Sequence, residues 1–170
     1  FFVFLLKFFA VYGLFTICYK YYLSGFELLT FEPDGITKVV SRQVVSFLKF
    51  FGQDAYILPH EREASMKLFF NEKYVARVVE GCNAVSVMIL FMAFIIAFKG
   101  KIKHTFLFIL AGIIIIHILN VIRIAILIIL VYSFPHYTRF LHGTFFPLVI
   151  YGYVFILWVF WINRFSKYAK

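Results

Sequence analysis

"RVVEGCNAVSVMILFMAFIIAF", residues 77–98, joins two kinds of chain. Up to Glu80 the sequence is mixed in polarity, and beyond Asn83 it carries no charge as far as Phe98. Residues 83–98 read as a helix immersed in a membrane. Between the two regimes stands Cys82, one of only two cysteines, preceded by Glu80 and Gly81. A buried cysteine is usually an inert small hydrophobe. A cysteine at a membrane boundary, beside polar groups, can instead be a nucleophile.

Composition supports the membrane reading. The chain has 170 residues, of which 64% are hydrophobic, 22% aromatic and 15% charged. A soluble domain is about half apolar and about a quarter charged. One soluble core of this size cannot hide the excess, so the chain is an integral membrane protein. The net charge of +9 then belongs to cationic flanks that meet the headgroups of a phospholipid bilayer. No basic stripe or recognition motif points to nucleic acid. All eight Asp and Glu residues lie between Glu27 and Glu80. The second half of the chain therefore cannot build a paired-carboxylate acid/base site, nor an oxygen-rich site for magnesium or calcium.

Working outward, residues 1–19 form a first apolar span, with Lys7 inside it and a belt of Tyr19, Lys20, Tyr21 and Tyr22 after it. No small-residue cleavage site follows, so it reads as a retained span and not a signal peptide. Residues 23–80 read as an extracytoplasmic or interfacial region. Within it Val40, Val44, Phe47, Leu48 and Phe51 recur at helical spacing, with Lys38, Arg42 and Lys49 off the stripe. That pattern predicts an amphipathic helix lying on the membrane. "MKLFFNEKYVARVV", residues 66–79, predicts two strands around a polar turn. Residues 83–98, 105–134 and 143–162 complete the spans. The cationic loop at 99–104 and the cationic tail at 163–170 point to the cytoplasm. The expected fold is an all-α polytopic membrane protein in a single domain over residues 1–170. It has about four transmembrane helices, an interfacial helix and a small extracytoplasmic β-hairpin. Both termini are expected on the cytoplasmic side.

Heights along these spans converge. At a rise of about 1.5 Å per residue, Cys82 lies about 24 Å above Phe98, Arg123 about 27 Å above Thr105 and His142 about 31 Å above Asn163. The hydrocarbon core is about 30 Å thick, so all three reach one outer boundary from three different spans. The apolar run continues past Arg123 as far as Tyr132. An Arg inside such a run is costly and usually faces the bundle interior. His117, Asn120 and Arg123 fall on one side of the helix, with His117 deeper and better suited to a structural hydrogen bond. Asn120 can orient Arg123 or help the helix bend. Arg139 is a reserve cation. His136 reads as a solvated loop residue, His60 and His104 as solvated or interfacial, and Cys18 as a packing residue.

A cysteine, a histidine and an arginine at one depth suit acyl transfer. The thiolate attacks a carbonyl and the imidazole moves the proton. The guanidinium favours the thiolate and can stabilise the oxyanion. A zinc site is the rival use of Cys and His, but it needs more ligands than Cys82 and His142 provide. There is no Gly-rich phosphate loop, no HExxH pair and no GxSxG elbow. No cofactor is called for.

"EGCNAVSVMILFMAF", "ILNVIRIAILIIL" and "FLHGTFFPLVIYGYVFILWV" resemble, in order, the blocks of the exosortase/archaeosortase family. The resemblance implies a compact membrane cysteine transpeptidase of the bacterial inner membrane, with its active site at the extracytoplasmic face. It implies Cys82 as nucleophile, Arg123 as essential cation and His142 as acid/base, with Arg139 in support; Glu80, Asn83 and Asn120 are expected to support the site by their positions beside these residues. The implied partners are membrane-anchored proteins carrying a C-terminal sorting signal, which are cleaved through a thioester and then transferred or released. Many members have more spans, which leaves open a partner membrane protein that supplies missing surface. Asn83 stands where the family often has Ser. Two readings outside catalysis remain: a membrane scaffold or assembly factor, and a protein that handles anionic lipid through Arg123.

Overall fold

The computed structural model describes residues 2–27, 33–98 and 100–165. The loop cation Lys99 and the tail cations at 167 and 170 lie outside the described residues. Helix α1 (Phe2–Glu27) is followed by α2 (Gly35–Phe50) and strands β1 (Ala55–Pro59), β2 (Ser65–Phe70) and β3 (Lys73–Val79). A 3-10 turn, Glu80–Cys82, leads to α3 (Val85–Ala97) and α4 (Ile102–Ser133). After a turn at Pro135–Tyr137, a short α5 (Thr138–Phe140) and a π-helical turn (Leu141–Phe145) feed α6 (Phe146–Arg164).

Helix α2 begins where Asp34 accepts from the backbone N–H groups of Ile36 and Thr37, satisfying two donors that a helix start leaves open. It ends at Gly52, which takes a left-handed φ of 73°, a conformation open to glycine at little cost. Its buried face is Thr37, Val40, Ser41, Val44 and Leu48. That face packs against β1, β2 and β3 and against Ile124, Ala125 and Ile128 of α4. The expected amphipathic helix therefore exists, but Val40, Val44, Phe47 and Leu48 of its apolar stripe meet protein. Ile36, Val39, Phe50 and Phe51 stay exposed around it.

The expected hairpin is part of a three-stranded antiparallel sheet, ordered β1-β2-β3. Asn71 and Glu72 both have positive φ, 49° and 63°, as a tight two-residue hairpin turn requires. The sequence reading missed β1. Its "AYILP" is too short to alternate visibly, and it becomes a strand by pairing with β2 from Ala55↔Phe70 to Pro59↔Met66. Met66, Leu68, Phe70 and Val78 turn inward and complete the core over α2 and α4.

The apolar helices run antiparallel. Phe4 of α1 meets Phe94 and Phe98, while Tyr19, near the other end of α1, meets Asn83. Phe91 packs on Phe108, and Phe108 on Trp161. A second core, holding Ala84, Phe91, Ile95, Ile116, Val154 and Trp161, fills the space between α3, α4 and α6. Gly112 allows the closest approach, since a Cβ there would overlap the Phe91 ring.

Among the described residues, three helical stretches are long and apolar enough to cross a membrane: Phe2–Phe26, Ile102–Ser133 and Pro135–Arg164. The expected span at 83–98 is α3, of 13 residues and about 20 Å long, short of an ordinary hydrocarbon core. It starts late because the chain at Glu80–Cys82 is a 3-10 turn and Ala84 is left-handed, at φ 62°. It is buried among its neighbours instead. The stretch at 105–134 is one unbroken helix, starting at Ile102. The last span starts earlier than the expected 143, at Pro135.

Candidate active site

Cys82, Arg123 and His142 line one cavity of about 180 Å³. Gly81, Val87, Leu127, Phe146, Pro147, Ile150 and Tyr151 complete its wall. The cavity lies between the turn before α3, the second half of α4 and the start of α6. Cys82 is half-buried and also packs against the core under the sheet.

Each side chain arrives there for a local reason. The backbone of Cys82 is pinned by α4, because Asn120 Nδ2 donates to the Cys82 carbonyl at 2.7 Å. Asn120 is fully buried, and its Oδ1 accepts no hydrogen bond among the described residues. Arg123 lies one turn further along α4, so both side chains leave the same face. Its Nε is buried and donates to no described group. The Arg123 side chain nonetheless lines the cavity, and a guanidinium there carries further N–H donors suited to an oxygen that arrives with substrate.

His142 stands in the π-helical turn, where Phe146 N–H reaches back to the Leu141 carbonyl. Pro147 follows, and proline can neither donate to the preceding turn nor fit its ring against a regular helical carbonyl. The wider turn relieves that conflict and re-aims His142 relative to α6. Such single π turns recur at functional sites.

The remaining expected residues divide. Asn83 is buried behind the cavity wall. Its Nδ2 donates to the Tyr19 hydroxyl at 2.8 Å and to Thr37 Oγ1 at 3.3 Å, while its Oδ1 accepts from Val85 N–H at 3.0 Å. Asn83 thus closes the start of α3. Glu80 is exposed and its carbonyl accepts from Asn83 N–H at 3.2 Å. Arg139 sits exposed on α5, away from the cavity wall. His117 Nε2 pairs with Gln43 Oε1 at 2.7 Å, tying α4 to α2 as a structural contact. Cys18 is a free, exposed thiol on α1, not the packed residue its aromatic surroundings implied. His136 is exposed. Among the described residues no three of His, Cys, Asp and Glu come together as metal ligands.

Sequence reasoning missed Tyr151. Its only signal is position: with Pro147 it lies on one face of α6, four residues apart. Ala84 was missed too. A non-glycine residue in the left-handed region costs about 1–2 kcal/mol, and such strain concentrates at functional sites.

A thiol, a guanidinium and an imidazole share a cavity at one end of an apolar helical bundle, an arrangement chemically suited to acyl transfer. The sequence profile described as transmembrane exosortase matches residues 4–163. The chain belongs to that family. Neither a curated protein nor a solved structure matches it.

Proposed function

We propose that this protein is a membrane cysteine transpeptidase that cleaves the C-terminal sorting signal of membrane-anchored exported proteins. Family membership supports the class, and the shared cavity of Cys82, Arg123 and His142 is the observation that carries the residue roles. His142 takes the Cys82 proton. The thiolate adds to the scissile carbonyl carbon, forming the C–S bond and an oxyanion. The Arg123 guanidinium balances the oxyanion through charge-assisted hydrogen bonds. Collapse breaks the C–N bond, and His142 returns its proton to the departing amine of the membrane tail. An acceptor amine or water then attacks the thioester, loses a proton to His142 and frees the thiol.

The short turn before α3 sets Cys82 at the end of the bundle where substrate anchored in the same bilayer would present a cleavage site. Holding both reactants in one plane supplies part of the positioning. The active site faces the extracytoplasmic side of a bacterial inner membrane, and both termini lie in the cytoplasm. The sheet and α2 stand beside the cavity on that side.

The test is co-expression with a tagged, tail-anchored candidate substrate. Cleavage is expected with the parent chain and absent with Cys82→Ala. Cleavage that persists in Cys82→Ala sinks the enzyme. Tight binding of anionic lipid that needs Arg123 but not Cys82 would favour a lipid-handling role.

A further inference from the structure

We propose that Tyr19, Asp34 and Thr37 form a clamp that positions the Cys82 turn through the Asn83 side chain, and so sets the direction of the thiol. The inference rests on Cys82 being the nucleophile. None of the three residues lines the cavity; they are positioning residues.

The clamp follows from counting donors and acceptors. Asp34 is 3% exposed, Thr37 fully buried and Asn83 1% exposed. Polar groups so deep need partners. Asp34 Oδ1 accepts from the N–H groups of Ile36 and Thr37, at 2.9 and 3.0 Å. Its Oδ2 accepts from the Thr37 hydroxyl at 2.5 Å. A carboxylate can only accept, so the single proton of Thr37 Oγ1 is committed to Asp34. Toward Asn83 the Thr37 oxygen can therefore only accept. The Asn83 amide must turn its nitrogen to Thr37 and Tyr19, and its oxygen to the N–H of Val85. The reverse orientation would set a nitrogen donor against that N–H and an oxygen against a hydroxyl with no proton to give. One orientation survives.

The turn is thereby gripped from two sides. Helices α1 and α2 hold the Asn83 side chain, and Asn120 of α4 holds the Cys82 carbonyl. Between these grips and α3, Ala84 is kept left-handed. Apolar residues could fill the same volume, but a fully satisfied polar network specifies one geometry where apolar packing tolerates several. Of the elements involved, α1 and α2 contribute no residue to the cavity wall.

The experiment follows alkylation of Cys82 by iodoacetamide on the full chain in detergent. A Cys18→Ala background leaves Cys82 as the sole thiol, since the chain has two cysteines. Tyr19→Phe and Thr37→Val are expected to slow alkylation at least about fivefold, because the thiolate loses its alignment with Arg123. Thr37→Ser, which keeps the hydroxyl, is expected to react at the parent rate. Gel filtration and thermal unfolding establish that each variant is folded. An unchanged or faster rate in folded Tyr19→Phe and Thr37→Val overturns the clamp, as does an equal loss in Thr37→Ser. The alkylation rate is independent of substrate turnover. Cleavage surviving in Cys82→Ala would therefore remove the enzyme reading without deciding the clamp.

Discussion

At the scale of single residues, the cavity separates chemistry from support. Cys82→Ala removes one sulfur from a half-buried position, so folding should survive while cleavage is lost. Circular dichroism beside the co-expression assay checks both halves. Arg123→Lys keeps a charge but loses the planar fork that can span an oxyanion. We expect kcat to fall about 100- to 1,000-fold, the scale of losing one oxyanion donor, with protein levels unchanged; steady-state kinetics on a tail-anchored peptide would measure it. Asn120→Ala removes the donor that meets the Cys82 carbonyl. An orphaned buried acceptor costs about 1–3 kcal/mol, which should appear as a lower midpoint of thermal unfolding in detergent. Residue type and height alone put Cys82 and Arg123 at one depth, and both line the one cavity. Asn120 was legible as a polar residue on the right face, but its partner was not. The Cys82 carbonyl is a backbone group, and no side-chain pattern marks which backbone group will need a donor.

At the scale of elements, two local irregularities aim the side chains. The π turn before α6 is tied to Pro147. Pro147→Ala restores a backbone N–H and removes the ring clash, so the segment should relax toward a regular helix. One residue of helical phase is about 100° of rotation, enough to turn His142 out of the cavity. Cleavage should fall although helix content and thermal stability do not, and any variant as active as the parent counts against the role given to the turn. The second element is the contact between α3 and α4. In Gly112→Ala the new methyl meets the buried Phe91 ring, and overpacking of this kind costs about 1–3 kcal/mol. Phe91→Leu should recover much of that loss, and thermal unfolding of the single and double variants tests the coupling. The sequence carried Pro147 and Gly112 in plain view. What it lacked was the neighbour that gives each residue its meaning.

At the scale of the whole molecule, α4 joins two different surroundings. It is about 48 Å long, well beyond a hydrocarbon core. Its first part packs in the bundle through Ile116, and its later part packs under α2 and the sheet through Ile124, Ala125 and Ile128. The apolar run beyond Arg123 is thus partly covered by protein, which explains why Arg123 stands inside a hydrophobic sequence and still beside a cavity. The up-and-down arrangement puts Glu61, in the loop between β1 and β2, and Lys101 near opposite ends of the bundle. In a cysteine-free background, Glu61→Cys should label with a membrane-impermeant maleimide from outside intact cells. Lys101→Cys should label only after the membrane is opened. The opposite pattern would invert the proposed orientation.

The sequence by itself determined the membrane class, the helical stretches and the spacing of Cys82, Arg123 and His142, because hydropathy and rise per residue are local properties that add along a chain. Tertiary structure alone decided that α3 is too short to span an ordinary bilayer, that β1 joins the hairpin and that the stripe of α2 meets protein. It also decided that Asn83 reaches Tyr19 across 64 residues of sequence. The physical reason is that hydropathy reports how much apolar surface a segment carries, and its period reports which face carries it. Neither reports whether that face is covered by lipid or by another helix, nor how far one helix is rotated against the next. Those quantities arise only when the elements pack, and they aim the thiol.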